Sequence, residues 1–215
     1  MLNFEGRAHL ENTVGGAKGH IFRRFIHIGM IIFPVIYFWY GMQISEVLEN
    51  LLEMSITREK ILMFVLILFF VVEVTRLSFG ITIFGQRTYE KKQISALAWG
   101  GFSLCLCLLI APKGGYMDSY IAFPIIITIS LIDPFLGEAR KLLTSTKLII
   151  SLGLILTLLI WVLCSVFLGT PFWLAFIMSP LAILSEWPSL KYIDDNATMI
   201  LIPLFASILL MPLYA

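Results

Sequence analysis

KILMFVLILFFVVEVTRLSF, residues 60–79, decides the class of this protein. Twelve apolar residues stand in a row at 61–72, and the run spans the ~20 residues that an α-helix needs to cross a bilayer. It then places Glu73 and Arg76 one helical turn apart. Carrying such groups near a membrane costs ~2.5–3.5 kcal/mol each on insertion scales, so they pair or they serve a function. Both readings stay open from the sequence: an interfacial ion pair, or part of a polar site.

The rest of the chain repeats the pattern. It is 59% hydrophobic with only 13% charged residues over 215 positions, and its mean hydropathy is +0.93. That composition excludes a soluble domain. We expect an all-α, polytopic membrane protein of about seven transmembrane helices, near 25–42, 60–79, 94–111, 117–135, 148–168, 171–186 and 197–214. The segment 171–186 is the shortest and contains Pro180. Residues 43–59 read as a small amphipathic surface helix. The chain reads as a single membrane-embedded domain, 1–215, with a polar N-terminal segment at 1–20 and no cleavable signal peptide. Cys105, Cys107 and Cys164 all fall in apolar runs, with neither metal spacing nor a disulfide framework.

Charge sets the expected orientation. If the loops alternate sides, one side receives twelve of the fifteen Lys and Arg residues, and the other only Arg58, Lys60 and Lys113. The positive-inside rule makes the richer side, and the N-terminus, cytoplasmic. The Asn196-Ala197-Thr198 glycosylation sequon then falls on the wrong side for that modification.

The acids collect at the same side. Glu73 lies at the end of the second apolar segment and Glu90 in the loop after it. Asp133 and Glu138 end the fourth, Glu186 ends the sixth, and Asp194 and Asp195 open the seventh. Basic partners accompany them. RRFIHIG (23–29) brings Arg23, Arg24 and His27 to helical spacing, a set that suits phosphate oxygens or simple topology. Arg87, Lys91 and Lys92 follow in a basic loop. DPFLGEARK (133–141) adds Arg140 and Lys141, with Pro134 expected to disturb the helix and Gly137 expected to admit a ligand to the backbone. One cap for the last helix needs one residue, yet Asp194, Asp195 and Asn196 stand together. Adjacent carboxylates repel unless a proton or cation lies between them. Asp133, Asp194, Asp195 and Glu186 are therefore candidate Mg²⁺ ligands, with Lys191 nearby, because Mg²⁺ takes one or two carboxylates plus substrate phosphates.

The order of these motifs resembles the polyprenol kinase family of membrane proteins, which includes dolichol kinases, phytol kinases and CTP-dependent diacylglycerol kinases. The resemblance rests on RRFIHIG, EVTR (73–76), RTYEKKQISALAW (87–99), DPFLGEARK, and Glu186 followed by Asp194-Asp195-Asn196 and Ile202-Pro203. The chain departs from the family in having Ile132 before Asp133 and Pro134-Phe135 after it. The resemblance implies a nucleotide-dependent lipid kinase. It would move a phosphoryl group from CTP onto a polyprenol- or dolichol-like alcohol at the cytoplasmic face, in the cell membrane of a prokaryote or the endoplasmic reticulum of a eukaryote.

On that expectation Asp133, Asp194, Asp195 and His27 are catalytic, and Asp133, Asp194, Asp195 and Glu186 hold Mg²⁺. Arg23, Arg24, Arg76, Arg87, Gly137, Asn196 and Lys191 bind nucleotide, supported by Glu73, Glu90, Glu138, Arg140 and Lys141. A CTP-dependent diacylglycerol kinase and a phosphatidate cytidylyltransferase-like enzyme are the alternatives, and a transporter or non-catalytic scaffold ranks behind them. No Walker A motif is present.

Overall fold

The computed structural model describes residues 13–186, 190 and 192–214. It is all-α and polytopic. Helices α1 (Gly16–Gly29), α2 (Ile32–Val35) and α3 (Gly41–Leu52), with a π-helical turn at Ile36–Tyr40 between the last two, together form one long apolar span. Then come α4 (Arg58–Phe79), α5 (Ala96–Ile110), α6 (Ala122–Leu142), α7 (Thr146–Leu168), α8 (Leu174–Leu184) and α9 (Asp195–Leu210).

Local chemistry sets the ends. The hydroxyls of Thr57, Ser95 and Ser145 accept N–H bonds from Lys60, Ala98 and Leu148 at the starts of α4, α5 and α7. Gly80, at φ +59°, closes α4, where Gly80 and Ile81 donate back to the Leu77 and Arg76 carbonyls.

Helix α6 is the axis of the bundle and packs against α1, α7 and α9. Its Ile125, Ile126, Ile129, Ile132 and Leu136 are fully buried. Helix α4 is peripheral, with Phe64, Ile67, Leu68, Phe70 and Val71 facing outward where only lipid suits them. In lipid the helices gain little from hydrophobic transfer, so close packing must hold them. Small residues permit it. A Cβ on Gly153 of α7 would lie 2.8 Å from Leu136 of α6 and 3.1 Å from Ile183 of α8.

All seven expected spans are helical, but among the described residues five apolar helices reach crossing length. The other two, Ala96–Ile110 and Leu174–Leu184, have 15 and 11 residues. At 1.5 Å per residue these rise roughly 22 and 16 Å against a hydrocarbon core of about 30 Å. Residues 41–52 continue the first span instead of forming a separate surface helix.

The fourth expected segment also runs on. Helix α6 continues through Pro134 to Leu142, so Asp133 and Glu138 lie inside a helix rather than at its end. Broken backbone is costly in an apolar setting. Around the proline, Arg24 Nη1 donates to the Pro134 carbonyl at 2.5 Å, and Ser130 Oγ donates to the Ile126 carbonyl at 2.7 Å.

Candidate functional site

The site begins where α1 crosses α6. Residues 20, 24 and 27 are spaced three and four apart and share one helix face. His27 is buried, and its Nδ1 lies 3.2 Å from Asp133 Oδ2. The charges of Arg23, Arg24 and Asp195 also reach this pair. Arg24 binds α6 through Pro134 and through Glu138, 2.8 Å away, and its Nε also donates to His20 Nε2 at 3.2 Å. Lys141 completes this surface group at 2.9 Å from Glu138. The group that approaches Gly137 is the Arg24 guanidinium: a Cβ there would stand 2.7 Å from Nη2.

Helix α4 and the following loop form the next wall. Arg76 is buried and uses all five of its N–H donors. Nε and Nη2 bind the two Glu73 oxygens at 2.9 and 2.7 Å, and the other bonds run to the carbonyls of Ile81, Glu90 and Gln93 at 2.8–2.9 Å. Glu73 also accepts from the Ser95 N–H at 2.6 Å and from the Ser95 hydroxyl at 3.1 Å. This pair is therefore structural, and Arg76 has no donor left for a phosphate. Glu90 is buried too. Its carboxylate accepts the N–H groups of Arg87 and Ala96 at 3.1 and 3.2 Å and pairs with Arg23 of α1 at 3.2 Å. Its cationic partner thus comes from 67 residues away, not from the adjacent basic loop.

Between this wall and the start of α9 opens a cleft of about 410 Å³, within the ~300–1,000 Å³ usual for ligand sites. Arg87, Glu90, Glu186, Asp194 and Asp195 all line it. Asp194 caps α9 by accepting the Asn196 N–H at 3.2 Å, and Asp195 accepts the same N–H at 3.0 Å. Burial, followed by the charge of Asp195, holds the Asp194 carboxyl well above the ordinary carboxylate range. Burial pushes Glu186 up to about 8. Arg140, 2.7 Å away, opposes that shift, while Asp133 and Asp195 add to it. Asp133, Asp195 and Glu186 therefore lie close enough for their charges to interact.

The structure brings His27, Asp133, Glu186, Asp194, Asp195, Arg23, Arg87, Glu90 and Arg140 to one end of the bundle. It turns Glu73 and Arg76 inward. Lys191 lies outside the described residues. Asn196 is buried, its Nδ2 donating to the Ala96 carbonyl at 3.2 Å and its Oδ1 unpartnered. The sequon is therefore inaccessible in the folded chain.

Sequence reasoning missed Tyr89, Gln93, Trp99 and Tyr192, which line the same cleft. Aromatic residues flanking the basic loop were the available signal.

The donor set suits a hard cation, because it is made of carboxylate oxygens. Among the described residues, however, no group of three or more His, Cys, Asp and Glu side chains is gathered tightly enough to cage a metal alone. Mg²⁺ does not require such a cage when phosphates complete its shell. No family model matches the chain, and no curated protein or solved structure matches it either.

Proposed function

We propose that this protein is a nucleotide-dependent lipid kinase. It would transfer the terminal phosphoryl group of CTP, or of ATP, to the hydroxyl of a membrane isoprenoid alcohol. One observation carries the reading: three acids from the two sides of the 187–193 connection share a cleft with Arg87, and one of them, Asp195, also acts by its charge on the buried His27–Asp133 pair. Cations around the phosphates, a group that takes the hydroxyl proton, and a dry fixed geometry are what phosphoryl transfer requires.

In this reading Asp194 and Asp195 would hold Mg²⁺, which would supply positive charge against the phosphates. Arg87 lies against the triphosphate. Asp133 orients His27, and His27 receives the proton of the lipid hydroxyl. The hydroxyl oxygen forms a bond to the γ-phosphorus as the bond from that phosphorus to the bridging oxygen breaks. The nucleoside diphosphate leaves with that oxygen. Arg23 holds a cleft wall through Glu90, and Arg24 ties α1 to α6 through Glu138. The lipid tail stays in the bilayer, and the site faces the cytoplasm.

The test uses purified protein in lipid with Mg²⁺ and γ-labelled CTP or ATP, offered polyprenol, dolichol, phytol-like alcohols and diacylglycerol. Label is expected in an isoprenoid product. Asp133→Asn is expected to lose at least about 100-fold in turnover while its thermal unfolding stays close to that of the parent. Release of pyrophosphate would favour the cytidylyltransferase reading. A fully active Asp133→Asn protein, or no label on any lipid, would overturn the assignment.

A further inference from the structure

The acids and Arg87 account for one part of the cleft and leave Gln93, Tyr89 and Trp99 unexplained. Gln93 is half-buried in the wall. Its backbone is fixed: the carbonyl accepts Arg76 Nη2 at 2.8 Å, and the N–H donates to the Glu90 carbonyl at 3.4 Å. Its carboxamide has no hydrogen-bond partner among the described residues. The aromatic neighbours are tied in place. Trp99 Nε1 donates to the Tyr192 carbonyl at 3.1 Å, which links α5 to the segment before α9. The Tyr89 hydroxyl accepts from Arg87 Nη1, and the Arg87 guanidinium stands 5.7 Å from the Tyr89 ring centre.

We infer that Gln93, with Tyr89 and Trp99 lining the same cleft, forms its base-reading end. This inference rests on the nucleotide reading above and names the residues that select the base. Aromatic faces accept any base by stacking, so they give affinity without choice. A carboxamide offers one acceptor and two donors side by side. That pattern matches an amino group beside a ring-nitrogen acceptor, the edge shared by cytosine and adenine; the reverse orientation fits uracil or guanine, so the bidentate contact discriminates when the cleft holds the carboxamide in the first orientation. An interfacial aromatic belt explains Tyr and Trp at this depth equally well. It does not give Gln93 any influence over which nucleotide binds.

Gln93→Glu separates the two. A carboxylate only accepts, so it loses the ring-nitrogen contact and gains the two donors of the guanine edge. The experiment measures competition of CTP, ATP, UTP and GTP for the full-length protein in lipid with Mg²⁺. Parent, Gln93→Glu and Gln93→Ala proteins are compared, each checked for folding by thermal unfolding. The parent is expected to prefer cytosine or adenine nucleotides. Gln93→Glu should shift the preference toward GTP by about tenfold or more, and Gln93→Ala should flatten it. A parent that binds nucleotide, with variants of unchanged preference, overturns this inference and leaves the kinase reading standing. A parent that binds no nucleotide overturns the kinase reading, and this one with it.

Discussion

Glu186 is the residue whose environment makes the sharpest pH statement. In the fold its carboxyl titrates near 8, chiefly because it is buried; in the unfolded chain it returns to about 4.5. Between those values the native state holds a proton that the unfolded state has released. Stability therefore falls as pH rises through the window from about 5 to about 8, and levels off above it. Replacing the acid by its neutral isostere removes this slope. Glu186→Gln should match the parent near pH 5 and unfold at a higher temperature than the parent near pH 8, measured by thermal unfolding without divalent cations. Parallel profiles across the window would refute the burial assigned to Glu186. Residues also show where the sequence stops being readable. The pairing of Glu73 with Arg76 follows from their spacing. The three carbonyls that take the other Arg76 donors come from the loop at 81–93, and no local pattern announces them. Arg23 meeting Glu90, and Arg24 meeting Pro134 and Glu138, are likewise products of the packed bundle. The sequence could nominate these side chains as polar and close to one surface, but it could not say which would be used up internally.

At the scale of elements, periodicity and composition were enough to find every long helix. They failed at the points where tertiary contact overrides a local breaker. Pro134 lacks an N–H and normally ends or kinks a helix, yet α6 continues through it, with Pro134 itself buried in the bundle. The shortness of α8 was foreshadowed by its brief, proline-containing segment, whereas that of α5 was hidden, since an apolar run reports burial and says little about the length of the helix within it. The packing of α7 offers a direct test of how tightly these elements are locked. Gly153 faces Leu136 and Ile183 at distances a new methyl could not occupy without displacing them. A small addition can be absorbed by these flexible side chains, but a branched one cannot. Gly153→Leu should cost about 1–3 kcal/mol by overpacking, read as a lowered unfolding temperature in detergent. Gly153→Ala should lose much less, because alanine regains helix propensity. Equal stability of Gly153→Leu and the parent would show that α7 does not pack on α6 and α8 as described.

For the whole molecule, the polar groups gather at one end of the bundle, and a smaller cluster marks the other. There Arg58 lies 3.1 Å from Glu59 and 3.6 Å from Asp118, and Lys113 lies 3.5 Å from Glu59. On the lopsided count of Lys and Arg, we propose that the richer end is cytoplasmic. It can be read chemically, because the three native cysteines are all buried and leave the parent chain silent toward a membrane-impermeant maleimide. Lys92 and Lys113 are both exposed, at opposite ends. In intact cells Lys113→Cys should be labelled from outside. Lys92→Cys should stay unlabelled until the membrane is permeabilised, after which it should react fully. Labelling of both from the same side would break the two-ended arrangement. Reversed labelling would keep the architecture and place the acidic cleft away from cytoplasmic nucleotide, removing the donor that the proposed reaction needs.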